Sequence, residues 1–524
     1  MARRAVRYYR AEPPPEEEWG QDFATMARSG FQGVVLPMPW EGRRDPAVLS
    51  RQAALATRHG LRVLVAPTFR ARAEQPDAAE LNSWAKAMAE ASAGLAVLLA
   101  ARVEDAPPCD AGRMEWGFEA NGLLPHRVAD QAAAFVQHRP FWVVGLPAHT
   151  AEQVRLQTWS SLAAPDASLV YEAWRPDLGA GLGIRPGLAR PDGTPSPRLE
   201  ELLRFDRLLA RHPDLTGAKP LPAEAAVVVV RESHQLWAAS DDGAGSYWEA
   251  IQGAYEALSS RGAQVELAPP DALAPYPVAY LPMALSVGPA TAEALRAYVE
   301  AGGCLVAEAG VARFDERGVT ARETPRHGLS ALFGARALDA AAALSGDSAP
   351  TFSGRRGPYP CFACREPLET TGGRAKSTFA DGSAAIVDHA LGSGSTRLIG
   401  TWPALGFART GDRSHAQVIL DSLALARVKQ RVITTAPGPC IRLLEGASGL
   451  AFLCAVNPKG ATSEARLRLS GALGRFRHAQ DLLAGQRLRL LNNRLRAKIA
   501  PCDGVLLRLE AAAPRHRWRR GAEA

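Results

Sequence analysis

The side chains that could do chemistry in this 524-residue chain are carboxylates that follow short apolar runs. Glu104 comes directly after VLLAARV at 97–103, and Glu172 lies within VYEAW at 170–174. Glu115 and Glu119 stand in MEWGFEAN at 114–121, a stretch that reads as a loop able to fold over a pocket or simply to face solvent. Two carboxyl groups about 5–5.5 Å apart can cleave an acetal, one protonating the leaving oxygen while the other attacks the sugar carbon. Glu104 is the leading catalytic candidate, and Glu172 is a second one. A buried carboxylate is costly unless paired, so the plain alternative for Glu172 is an ion pair with Arg175 or Arg102. Seven of the eleven tryptophans fall in the first 174 residues, and aromatic faces stack well on the C–H faces of sugars. Trp40, Trp174 and His149 are the candidates for substrate contact, whereas Trp142 and Trp159 sit inside elements and read as core.

Those residues need a frame that brings strand ends together. Apolar strand-like runs occur at 6–9, 33–36, 62–66, 96–101, 141–146 and 168–174, with a seventh near 113–118. Helical stretches fall between them at 16–29, 46–59, 78–92, 127–137 and 151–163. The first three close on Ser29-Gly30, His59-Gly60 and Ala93-Gly94, where glycine supplies the usual helix stop. Strict alternation of strand and helix implies a parallel sheet, and enough units close it into a barrel. Seven strands fit a shortened (β/α)8-type barrel, with a smaller open sheet as the alternative. In such barrels the reacting groups sit at the C-terminal strand ends.

Beyond a linker-like PDLTGAKPLP at 213–222, AAVVVV at 225–230 begins a second α/β pattern. Helix 247–261, strands 264–267 and 277–281, helix 291–300 and strand 304–308 continue it, in a doubly wound, flavodoxin-like manner. From about 432 to 510 apolar and polar residues alternate, as in an antiparallel β-sandwich with one face buried. The expected division is therefore 1–215, 222–428, 430–512 and a basic tail at 513–524.

Composition narrows the function classes. The net charge of +7 is spread along the chain, and only RHRWRR at 515–520 is dense. No nucleic-acid-binding motif accompanies it, so no nucleic-acid partner is expected. No window of 18 apolar residues occurs, and no secretory apolar segment follows the N-terminal arginines before Glu16–Glu18, so neither membrane association nor export is expected and the location reads as cytoplasmic. Seven cysteines, an odd number, do not form a disulfide framework. Cys361-Phe362-Ala363-Cys364 is an isolated CxxC, so no metal site is expected, and no cofactor motif is present.

The stretch FWVVGLPAHTAEQVRLQTWSSLAAPDASLVYEAWRPDLGAGLGIRPGLARPDGTPSP at 141–197 resembles the last two β/α units of the catalytic barrel of glycoside hydrolase family 42, the β-galactosidases. ATAEALRAYVEAGGCLVAE at 290–308 and FDE at 314–316 resemble that family's second domain, which is associated there with trimerisation. The resemblance covers nearly the whole chain in the same domain order. It implies hydrolysis of terminal β-galactosides or related glycosides by a retaining mechanism, a carbohydrate partner, a homotrimer and no cofactor. It also marks departures. The position matching the family nucleophile is Gly145, Val103 replaces the asparagine before the acid/base Glu104, and Leu182 in GAGLG at 179–183 replaces a further glutamate. The family's zinc-binding cysteines have no counterpart. A degenerate barrel follows, and with it the alternative of a catalytically inactive saccharide-binding or assembly relative.

Overall fold

The computed structural model describes residues 3–9, 14–39, 46–68, 96–101, 114–119, 127–129, 141–164, 167–176, 185–240 and 245–511, the last without 316, 321, 339–341, 344–349, 355–356, 435–438, 447–448 and 458–459. Seven parallel strands form a closed barrel in chain order: β1 (Arg4–Arg7), β2 (Gly33–Pro39), β3 (Arg62–Thr68), β4 (Ala96–Ala101), β5 (Met114–Glu119), β6 (Phe141–Pro147) and β7 (Ala167–Glu172). Closure is made by β7 on β1, with Ala5 opposite Val170, Val6 opposite Tyr171 and Arg7 opposite Glu172. That pairing excludes the open sheet. The strand expected at 113–118 is β5.

The first strand lies two residues earlier than the apolar run suggested. Arg4 does not end it because its guanidinium reaches Asp206 at 2.6 Å on the helix Pro197–Arg211. Helix α1 (Glu16–Arg28) starts with three glutamates, which suit the positive end of the helix dipole. It stops at Gly30, φ +78°, where Gly30 N–H bonds Ala27 O and Phe31 N–H bonds Met26 O. Helix α2 (Pro46–Arg58) ends the same way at Gly60, with Leu61 N–H bonding Ala56 O. The helix expected at 78–92 lies outside the described residues.

Strand alternation separates two apolar layers. Ala5, Val35, Leu64, Leu98, Trp142, Val144 and Val170 pack together inside the barrel. Val6, Val34, Val63, Val143, Leu169 and Tyr171 face the helices with Phe23 and Met26.

The second sheet runs Val265–Ala268, Ala225–Val228, Val278–Leu281, Cys304–Ala307 and Gly394–Ile399, all parallel, followed by the antiparallel Ala384–Leu391. Taken by sequence, the parallel part has the order 2-1-3-4-5 of flavodoxin-like folds. The C-terminal part pairs a six-stranded sheet with a three-stranded one around Ile441, Leu453, Leu467, Leu495 and Leu507. The linker departs from expectation. Pro213–Thr216 is a short helix, and Lys219–Pro220 adds an edge strand to this sandwich opposite Leu444 and Glu445. A proline is tolerated there because an edge strand needs only one row of donors. Trp159, Phe205 and Leu209 of the barrel unit pack on Phe452, Val456 and Leu506, so the sandwich is clamped to the barrel's helices.

Candidate active site at the barrel mouth

Side chains two residues past an inward-facing position share its face of the strand. Ala5 and Val170 belong to the inner layer. Arg7 and Glu172, two residues on, therefore rise above that layer at the C-terminal rim. Arg7 Nε donates to Glu172 Oε1 at 2.6 Å, and the two side chains are only 15% and 19% exposed. Glu172 thus pairs with Arg7 of β1 and not with Arg175, while Arg102 lies outside the described residues. Sequence inspection missed Arg7, although period-2 alternation from Ala5 would have placed it on the inner face.

Beside this pair, β6 is irregular. Its register with β7 shifts between Val143 and Leu146. Gly145 occupies the bulge with φ +71°, is exposed, and a Cβ built there would meet no described atom within 4 Å. A left-handed glycine at a bulge is what such a kink needs. On the other side of β6, Glu119 of β5 is in register with Val144. The strand Met114–Glu119 is thus part of the barrel and not a covering loop.

His149 follows in the β6–α turn, exposed, with its backbone N–H on Gln153 Oε1 at 3.2 Å. The next helix, Ala151–Ser160, is N-capped by Thr150, whose hydroxyl accepts from Gln153 N–H at 3.1 Å. Trp174, expected to line the mouth, is fully buried instead. Its ring packs edge-on against Phe31 at 6.0 Å, and its indole N–H donates to Asp22 Oδ1 at 3.0 Å. The chain turns outward after β7, so Trp174 joins the layer between strands and helices. Glu104, Val103, Trp40 and Leu182 lie outside the described residues.

Asp22 anchors this turn. Fully buried in α1, it accepts from Tyr8 Oη at 2.8 Å, Trp174 Nε1 at 3.0 Å and Arg175 Nε at 2.8 Å. Arg175 also meets Glu18 at 2.5 Å. Burial first, then the Asp22 charge, pushes the Tyr8 hydroxyl far above its ordinary pKa, so it remains a hydrogen-bond donor at any working pH.

Among the described residues no group of three or more His, Cys, Asp and Glu side chains is placed to hold a metal ion, and no helix is long and apolar enough to cross a membrane. Cys361 and Cys364 are buried thiols, both raised above their usual pKa chiefly by that burial, Cys361 to about 11.

Comparison with known proteins gives the same direction from sequence and from shape. Residues 223–421 match the family model of the β-galactosidase trimerisation domain. Over 288 residues the chain is 28% identical to the β-galactosidase BgaH of Haloferax lucentense, a match spanning 51% of this chain and 42% of that one. A Thermus β-galactosidase, BgaA, is 31% identical over 169 residues, 32% of this chain and 25% of its own length. The matched stretches thus span less than half of these relatives. In three dimensions the chain superposes on a catalytic mutant of Gan42B, a family 42 β-galactosidase from G. stearothermophilus, with TM-score 0.71 at 11% identity over 96% of this chain and 98% of that one. The β-galactosidase of the Antarctic haloarchaeon Halorubrum lacusprofundi superposes with TM-score 0.69 at 18% identity, over 97% and 99% of the two chains. At such identities the superpositions speak for the fold, while the sequence matches carry the kinship. In sequence over part of its length, and in fold over nearly all of it, the chain is similar to the β-galactosidases of glycoside hydrolase family 42.

Proposed function

We propose that the barrel is a glycoside hydrolase of the β-galactosidase type, acting on terminal β-galactosides or related glycosides, with Glu104 as acid/base and Glu172 as the second carboxylate. The observation that supports it is the placement of Glu172, inward-facing at the C-terminal rim, gripped by Arg7 and next to the Gly145 bulge. Gly145 has no side chain and forms no glycosyl ester, so any covalent or water-activating role falls to another rim carboxylate. The Arg7 guanidinium orients Glu172 toward the centre of the barrel. A second reading, saccharide binding without hydrolysis, is favoured by Gly145 itself.

Hydrolysis of aryl β-galactoside and a panel of other aryl glycosides separates them. On the first reading, Glu104→Gln and Glu172→Gln each lower kcat/KM by at least about 100-fold, the scale of a lost acid/base group. Activity equal to that of both variants on every sugar would leave the binding reading. Installing a carboxylate by Gly145→Glu gives a further check. It is expected to cost about 1–2 kcal/mol, because φ +71° disfavours a side chain. If only the family nucleophile is missing from the pocket, galactosidase turnover rises in this variant above the wild type.

The proposal extends to the chain's organisation: a barrel unit over 1–215, the trimer-forming unit over 222–428, a sandwich over 430–512, and a cytoplasmic homotrimer. Light scattering on the eluting protein tests the trimer, for which a monomeric mass would be decisive against.

A further inference from the structure

The three-stranded sheet of the C-terminal sandwich carries an unusual outer face. Its strands run in the order Val432–Thr434, Ser463–Leu469, Arg494–Ile499. One face is apolar: Ala465, Leu467, Leu469, Leu495, Ala497 and Ile499 fill the sandwich core. The other face carries Arg466, Arg468, Arg494, Arg496 and Lys498, all exposed, with Glu464 as its single carboxylate. In the antiparallel register Arg466 stands directly opposite Arg496, and Arg468 opposite Arg494. Glu464, opposite Lys498, is engaged by Arg466 at 2.5 Å, so the one anion is already shared.

Like charges directly opposite one another on a sheet destabilise it. A row of basic residues on an edge strand has an ordinary explanation, since charge there deters edge-to-edge association. That explanation reaches Arg494–Ile499, an edge strand, but not Ser463–Leu469, which is the central strand and is paired on both sides. Neighbouring strands lie about 4.8 Å apart and alternate residues about 7 Å apart. The basic side chains thus rise from closely spaced positions on one face of the sheet. A guanidinium fork binds carboxylate or sulfate with two parallel hydrogen bonds, and a chain carrying such groups at intervals would neutralise several arginines together. The described residues of this face include no aromatic side chain on which nucleic-acid bases could stack.

We propose that this face is a docking surface for acidic polysaccharide, a glycan bearing carboxylate or sulfate groups, which it holds while the barrel, clamped to the same sandwich, acts on chain ends. The choice of a glycan over other polyanions rests on the glycosidase reading. The docking itself is measured without turnover, so an inactive barrel and a failed surface give different results.

The full-length protein is titrated with polygalacturonate, dextran sulfate, neutral dextran and duplex DNA at about 50 and about 200 mM salt. Binding to polygalacturonate, dextran sulfate or both is expected, and which of the two binds identifies the acidic group. Neutral dextran should not bind, and affinity should fall at least about tenfold at the higher salt. The Arg468→Ser/Arg494→Ser double variant should lose at least about tenfold in affinity while melting no lower than the wild type, because it removes a like-charge contact. Arg374→Ser/Lys376→Ser, which removes two exposed charges from a different sheet, should keep affinity within about twofold. Absence of binding to both acidic polymers, equal losses in the two double variants, or tighter binding of duplex DNA than of either polysaccharide would each overturn the proposal.

Discussion

An Asp22→Ala protein is expected to lose about 3–5 kcal/mol of stability, the usual cost of removing one partner from a buried ion pair. The carboxylate is fully buried and receives hydrogen bonds from Tyr8, Trp174 and Arg175. These come from the chain just after β1, the chain just after β7 and the turn that follows. Without it, Arg175 keeps only its contact with Glu18 and with the Pro191 carbonyl while its side chain is 10% exposed. The Trp174 indole N–H, also fully buried, is left facing apolar neighbours. Asp22→Asn keeps the shape and one acceptor, so about 2 kcal/mol is expected for it. Urea denaturation measures both, and an alanine variant within about 1 kcal/mol of wild type would mean that Glu18 alone satisfies Arg175. On the proposed glycosidase reading turnover should fall as well, since Asp22 of α1 holds the chain just after β1 and β7, the strands that carry Arg7 and Glu172.

The second large effect is a loss of stability with rising pH that traces to Glu308. This residue follows the strand Cys304–Ala307 in the second sheet and is fully buried. Its carboxyl accepts from Tyr280 Oη at 2.8 Å, from Ala404 N–H at 2.8 Å at the start of helix Pro403–Thr410, and from Met283 N–H at 3.3 Å. Burial outweighs these donors and pushes its pKa from 4.5 up to about 8. The native state therefore holds a proton that the unfolded chain gives up. Stability is fully present below about pH 4.5 and is lost as the pH rises through about 8. Over that whole window the loss amounts to several kcal/mol, of which between about 1 and 2 kcal/mol falls between pH 7 and 9. Glu366, raised chiefly by burial although the Arg313 guanidinium and the Gly310 N–H oppose it, changes stability in the same direction. His415 has the opposite dependence: burial lowers its pKa, so it costs stability only as the pH falls below its usual range. Urea midpoints of the wild type should fall from pH 7 to 8 and level off toward pH 9, and Glu308→Gln should remove most of that fall. A slope unchanged in the glutamine variant would assign the titration to another group.

Much of the frame was legible because it depends on local patterns. Six of the seven barrel strands follow from short apolar runs, and the stops of α1 and α2 follow from Gly30 and Gly60, which adopt the left-handed conformation that side chains resist. The sandwich follows from strict alternation, visible in Arg494–Ile499 as exposed and buried residues in turn. The site was legible only in part. Glu172 could be singled out as a carboxylate on an apolar strand, and the register now gives it a partner, Arg7, 165 residues away in sequence. Trp174 illustrates the opposite case: its position at a strand end suggested the mouth, but Asp22, 152 residues earlier, draws its indole into the wall.

By itself, then, the sequence determined which segments of the barrel become strands, where α1 and α2 stop, and that a glycine, Gly145, stands near the end of the sixth strand. The tertiary structure alone decided that β7 closes on β1, that the 213–222 connection pairs with the sandwich, and which buried charge meets which. The physical reason is one of range. Periodicity and glycine chemistry act over a few residues, whereas the partner of a buried charge is set by strand register and helix packing between segments far apart in the chain.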